Sequence, residues 1–239
     1  MPVMMIWRLI LPFLILPLAA LADDGLPAVV RDEAWFTGSL ASTGANALPE
    51  GHFLAEPYLG GSGRTVQSLN LLLYGITDEL TAGLIPRFSW RDRAEAGDVT
   101  ARAQYRFLAE GEASLAAVVN EDMPASGRGA YATHLGLLAD DYTEVAGRPL
   151  RLRLNLSYDF SRSAENVVAA LEYSVSTRWA AALDITYDRV GSTQSAGLVP
   201  AIEYNFTAYT GLIIGAQLPV WQRAAPRVIV PLAALNCVF

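Results

Sequence analysis

The sequence predicts an all-β fold: a closed, antiparallel, up-and-down transmembrane β-barrel of about twelve strands. Three observations predict it. Apolar and polar residues alternate along runs of roughly ten residues, turn signals separate the runs at near-even spacing, and aromatic residues collect at the run ends.

Composition narrows the choice first. The chain has 239 residues, of which 52% are hydrophobic and 17% charged, with a single cysteine. That balance excludes a disordered chain, a disulfide framework and a zinc site built on several thiolates. All 17 basic residues are arginine against 24 acids, and the formal net charge is −7, so no surface for a polyanion is advertised and nucleic acid is not an expected partner.

Residues 1–22 read as a secretory signal peptide. Arg8 supplies the positive end, residues 9–18 form a short apolar run, and Ala20-Leu21-Ala22 is a small-x-small cleavage signal, with the cut expected after Ala22. The run falls well short of the roughly 20 residues a spanning helix needs. Residues 23–50 show no sustained period and form either a periplasmic tail or a segment inserted into the lumen, with Trp35 and Phe36 as candidate plug anchors.

The barrel itself is expected over 51–239, with strands near 51–60, 65–74, 79–90, 98–108, 112–120, 131–140, 149–160, 166–175, 179–188, 197–206, 211–221 and 227–239. The clearest is the seventh. Leu150, Leu152, Leu154, Leu156, Tyr158 and Phe160 alternate with Arg151, Arg153, Asn155, Ser157 and Asp159. A helix would put Arg153 and Ser157 on its apolar stripe, so only a strand segregates the two sets. The fourth repeats the split, with Val99, Ala101, Ala103, Tyr105 and Phe107 against Thr100, Arg102, Gln104 and Arg106. Short connections at 75–79, 109–112, 176–178 and 207–210 mostly alternate with longer ones at 91–97, 121–130, 189–196 and 222–226; the stretch 141–148 is longer than its side of the barrel should need. The repeat averages roughly 16 residues, which suits a bilayer-crossing strand plus its connection better than the tighter spacing of a soluble sandwich.

If the chain starts in the periplasm, descending strands finish with Tyr74, Tyr105, Phe107, Tyr173, Tyr204, Phe206 and Phe239, and ascending ones with Phe88, Trp90, Tyr158, Phe160, Tyr187 and Trp221. Two aromatic belts result, as expected where rings meet lipid headgroups. The last run ends on Phe239 and resembles the terminal signal read by bacterial barrel-assembly machinery, an expected partner alongside outer-membrane lipid. Cys237 has no partner cysteine and is expected to be a small buried hydrophobe.

Chemistry must then come from the inward face. The register sends Arg87, Arg102, Arg106, Arg151, Arg153, Glu172, Asp184 and Glu203 into the bore, together with His52, Glu56, Gln104, His134, Asp159 and Asp188. Arginine predominates on strands three, four and seven, and acids on strands eight to ten. Opposite signs on opposite walls either constrict a pore with a transverse field or pair into a structural plug. The apolar set is expected on the outside, leaving the polar set to line the bore. Catalysis is not expected: no Gly-x-Ser-x-Gly elbow is present, and the nearest nucleophile and base, Ser114 and His134, are related only by strand order. Gly60-Gly61-Ser62-Gly63 lacks the Lys-Ser/Thr of a phosphate loop and reads as a flexible outer loop. No cofactor and no metal site is expected.

Several segments together resemble the bacterial outer-membrane family described as MetA-pathway of phenol degradation proteins. They are Asp32-Glu33-Ala34-Trp35-Phe36-Thr37-Gly38, Leu48-Pro49-Glu50-Gly51-His52, Glu56-Pro57-Tyr58-Leu59, Tyr74-Gly75-Ile76-Thr77-Asp78 running into Leu80-Thr81-Ala82-Gly83-Leu84-Ile85-Pro86, Gly97-Asp98-Val99-Thr100, and Val199-Pro200-Ala201-Ile202-Glu203-Tyr204-Asn205. The resemblance implies a bacterial outer-membrane location and a narrow passage for small aromatic or hydrophobic molecules. A closed structural or adhesion barrel is the alternative, and an outer-membrane lipid hydrolase the weakest reading. Fractionation of expressing cells tests the first step: the protein is expected in the outer-membrane fraction, and recovery in the soluble periplasm contradicts the barrel.

Overall fold

The computed structural model describes residues 40–239, apart from 64, 92–93, 111–112, 126–130, 177, 208 and 224–227. Trp35 and Phe36 lie outside the described residues. Twelve strands follow in order: β1 (Phe53–Ser62), β2 (Thr65–Gly75), β3 (Leu80–Trp90), β4 (Ala94–Glu110), β5 (Ala113–Met123), β6 (Ala132–Val145), β7 (Arg148–Asp159), β8 (Ala164–Ser174), β9 (Trp179–Val190), β10 (Thr193–Asn205), β11 (Thr210–Arg223) and β12 (Val230–Val238). Each pairs antiparallel with its neighbours in sequence, and β1 pairs with β12 to close the barrel. At that seam Leu54 stands opposite Val238 and Ala55 opposite Cys237, while Phe53 and Phe239 exchange backbone hydrogen bonds of 3.0 and 2.9 Å.

Period-two patterning decides which way each side chain points. On β7, Arg151, Arg153, Asn155 and Asp159 are buried, while Leu154 and Leu156 are exposed. The exposed set continues round the cylinder through Leu84, Val119, Leu135, Leu137, Leu171, Ile185, Ile202 and Ile214. Above and below this band the aromatics meet one another: Trp179 with Tyr204 at 4.7 Å and Phe53 with Phe239 at 6.4 Å on the rim that holds the start of β1, and Tyr158 with Phe160 at 5.0 Å and Phe88 with Trp90 at 6.2 Å on the far rim. Cys237 is buried, as expected of a small hydrophobe.

The connections differ from expectation in length. Residues 94–97, 189–190, 193–196 and 222–223 extend β4, β9, β10 and β11 rather than forming outer loops, because ladder hydrogen bonds form as readily above an apolar band as within it. Gly60 and Gly61 likewise belong to β1, so the expected glycine loop is a tight hairpin with Gly63 at φ +60°. The stretch 141–148 is no exception: β6 runs to Val145, and Ala146 (φ 54°) and Gly147 (φ 72°) form a two-residue turn of the kind that matches strand twist. Three of the four-residue turns near the first rim share one device. A hydroxyl near the start of the turn accepts backbone N–H groups: Thr77 from Glu79 and Leu80, Ser176 from Arg178 and Trp179, Thr207 from Tyr209.

Glycine is demanded where β2 and β3 meet. A Cβ at Gly83 would stand 2.0 Å from the Leu72 carbonyl oxygen and 2.8 Å from Leu73 Cα, whereas one at Gly147 would meet nothing within 4 Å. Gly83→Ala is therefore expected to abolish the compact band of unheated samples on detergent gels. Gly147→Ala should keep that band and lose about 1 kcal/mol in urea unfolding, from left-handed strain alone.

Candidate functional site

The barrel interior is two-sided. The inward faces of β4–β9 carry Arg102, Asp122, Asp140, Arg151, Arg153, Asp159, Glu172 and Asp184, all buried. The inward faces from β10 through β12 and β1 to β3 carry two apolar patches: Val199, Ala201, Ile213 and Ala234 form one, and Leu54, Leu71, Leu73, Ile85 and Val238 the other. This corrects the expectation that polar residues alone line the bore. The apolar patches are stable inside because residues 40–50 cover them, Leu40 packing on the first patch and Leu48 on the second, while Ala45 packs against Ala116, Val118 and Leu138.

Glycines shape the seats of this segment. A Cβ at Gly215 would come within 2.7 Å of Leu40 Cδ1, and one at Gly75 within 2.0 Å of the Pro49 carbonyl oxygen. The segment has no strand partner, so its backbone polar groups turn to side chains on the wall. Ala41 N–H donates to Asp184 Oδ2 at 2.8 Å, Ala45 N–H to Asp140 Oδ2 at 3.0 Å, and Leu48 N–H to Thr81 Oγ1 at 2.8 Å. Gln104 Nε2 donates to the carbonyls of Gly44 and Asn46 at 3.0 and 3.1 Å, and Ser114 Oγ donates to Asn46 Oδ1 at 2.6 Å.

Asp140 joins this segment to the charged wall. Its Oδ2 also accepts from Arg151 Nη2 at 2.8 Å, and its Oδ1 lies 3.7 Å from Arg153 Nε. Arg153 reaches on to Glu172 at 3.5 Å, and Arg151 lies over the Tyr142 ring at 4.9 Å from its centroid. Neighbouring strands thus supply both signs: Asp140 faces Arg153 in the β6–β7 register, and Arg151 faces Glu172 in the β7–β8 register. A second cluster lies toward the far rim. There Asp122 meets His134 at 3.1 Å, Arg87 at 3.6 Å and the Thr100 hydroxyl, and Asp159 lies 3.8 Å from His134 Nδ1.

The eight sequence-predicted charges divide accordingly. Arg151, Arg153 and Glu172 share one network, Asp184 binds the internal segment, and Glu203 is buried on β10. Arg102 is buried and donates to Gln104 at 2.7 Å. Arg87 is partly exposed near the far rim, and Arg106 holds Asn46 Oδ1 and the Asp78 carbonyl near the first rim. His52 precedes β1 and contacts the Glu50 carbonyl, outside the strand wall. The pairing of Ser114 with His134 fails. Ser114 stands opposite Asp140 and Asn120 opposite His134, six residues further along β5, a separation of roughly 20 Å at strand rise.

Sequence reasoning missed Asp122 and Asp140. Asp122 fell in an expected outer loop, and Asp140 sat at the expected end of strand six.

No protein-family model matches the chain, and no curated protein matches it. Solved structures do. The chain is similar to the COG4313 outer membrane channel from Pseudomonas putida F1, at 16% identity and a TM-score of 0.56, with 84% of this chain and 100% of that one covered. It is also similar to the KdgM porin (9% identity, TM-score 0.58, 78% and 99% covered) and to the NanC porin (8%, 0.57, 78% and 98%). The shared feature is the fold. It is an outer-membrane barrel fold.

Removing Asp140 should leave two buried guanidinium groups and one backbone amide short of their acceptor. Asp140→Ala is expected to lower stability by about 3–5 kcal/mol in urea unfolding from micelles. Glu144→Ala, at an exposed position on the same strand, should stay within about 0.5 kcal/mol.

Proposed function

We propose that the protein is an outer-membrane channel for small solutes, obstructed in this conformation by residues 40–50. One observation carries the reading: a closed cylinder presents apolar side chains and two aromatic belts outward while burying a set of charged residues inside, among them Arg151, Arg153, Asp140 and Glu172. In water that distribution is unfavourable, and in a bilayer it is the favourable one. The rim holding the chain ends then faces the periplasm, and Phe239, paired with Phe53 at the seam, is the segment offered to the assembly machinery.

The apolar half of the wall supports small aromatic or hydrophobic solutes, and with them the placement in the MetA-pathway of phenol degradation family. A greasy strip beside a charged wall orients a molecule that carries both kinds of surface. Obstruction rests on the side-chain anchors of the segment, which are hydrogen bonds rather than strand pairing and open without disturbing the barrel ladder.

A closed structural barrel is the second reading, favoured by the direct pairing of Arg151 and Arg153 with Asp140 and Glu172. Planar-bilayer recordings and liposome swelling with phenolic and sugar solutes separate the two. For a channel, deletion of 23–48 raises single-channel conductance several-fold and speeds swelling. Conductance unchanged by the deletion, with thermal stability alone falling in Arg102→Ala and Glu172→Ala, identifies a structural barrel.

A further inference from the structure

Not every polar group inside the barrel is used by the charge network or by residues 40–50. Across β8–β12 and β1, toward the rim that holds the chain ends, buried polar side chains lie on consecutive strand rungs. Ser174 and Glu203 share a rung through Ala180, while Asn205 and Asn236 share the next through Gly211. The pairs Ala55–Cys237 and Tyr58–Ala234 bracket Glu56 and Asn236, which places Glu56 beside that amide. Glu203 and Asn236 are each 1% exposed and Ser174 is 2% exposed. Both amide atoms of Asn236, Oδ1 of Asn205 and Oγ of Ser174 make no hydrogen bond with any described residue, and the Glu203 carboxyl lies against that of Glu172.

Such groups are costly to bury unless something meets them. Glu172 and Glu203 have no inward arginine among the described residues of β8 and β10, and the guanidinium that reaches Glu172, Arg153, comes from β7. The vacant valences are predominantly acceptors. They do not converge as a metal site does, since among the described residues no group of three His, Cys, Asp or Glu side chains is placed to hold an ion. Beside them lies the apolar patch of Val199, Ala201 and Ile213.

We propose that this wall binds small organic cations: an ammonium group on the carboxylates and amides around Glu203, with an apolar body against Val199 and Ile213. The inference rests on the channel reading and names its solute class. Residues 40 and 41 already display the pattern in miniature, with an N–H donated to a carboxylate, Asp184, and an aliphatic side chain, Leu40, seated on the same patch. An amphipathic cation satisfies both surfaces at once and competes with the segment for them. Its positive charge also meets a barrel whose buried acids outnumber its buried arginines.

The test is titration calorimetry of the full-length mature protein in micelles with phenethylammonium, phenylacetate and potassium ion, alongside liposome swelling. Phenethylammonium is expected to bind at least ten-fold more tightly than phenylacetate, which has a similar body and the opposite charge, and than potassium, which has the charge without the body. Glu203→Gln should weaken it about ten-fold while the band of folded protein on unheated gels persists. Equal binding of phenethylammonium and phenylacetate, binding matched by potassium, or affinity unchanged in Glu203→Gln overturns the proposal. The first two comparisons use the natural sequence and stand even if the variant fails to fold. Tight, selective binding without flux of any solute, before or after deletion of 23–48, supports the site and rejects the channel. Flux of neutral phenolic solutes without selective cation binding does the reverse.

Discussion

The structure depends on one constraint: every backbone amide of the cylinder must find its partner within the cylinder. Lipid offers no hydrogen bonds, so a free strand edge inside a bilayer is not tolerated. The β1–β12 pairing, with Phe53 and Phe239 bonded reciprocally at its end, removes the last edge. With the seam closed, the period-two pattern has only two surfaces to fill, and every residue on a strand belongs to the outside or the bore. Changing the register of one strand by one residue would carry Arg151, Arg153 and Asp159 into lipid together.

Closure creates a second problem inside. Charged and apolar side chains are both confined to a narrow space, and neither is stable there alone. The charged half is stabilised by cross-strand pairing, in which Asp140 serves Arg151, Arg153 and the amide of Ala45. The apolar half is stabilised by Leu40 and Leu48 of the internal segment. Asp140 and Asp184 therefore couple the two halves, because the same carboxylates that belong to the charged wall also hold the segment that covers the apolar one. Whatever moves residues 40–50 exposes both surfaces together.

Function follows from what this two-sided bore can recognise. A purely polar bore would favour hydrated solutes, and a purely apolar one would exclude them. On the proposed channel reading, an acid-rich wall beside an aliphatic strip would instead select by the combination of charge and body. On the proposed reading, the amides of Asn205 and Asn236, which meet no partner among the described residues at the atoms named above, would border such a molecule beside the patch that Leu40 covers.

The sequence by itself determined the strand number, the up-and-down order, the closed antiparallel class and the inward placement of Arg102, Arg151, Arg153, Glu172, Asp184 and Glu203. All follow from period two and turn chemistry, which are local: each strand reports its own two faces without reference to its neighbours. Loop lengths were less legible, because residues 94–97 and 193–196 lack the apolar alternation yet extend the ladder. What only the tertiary structure decided was who meets whom inside. The sequence could not show that the acids closest to Arg151 and Arg153 would include Asp140 of the adjoining strand, or that Leu54, Leu71 and Ile213 would point inward and be covered by Leu48 and Leu40. Those contacts join residues far apart in the chain, and their partners are chosen by register and by the curvature of the closed wall, quantities that no single strand carries.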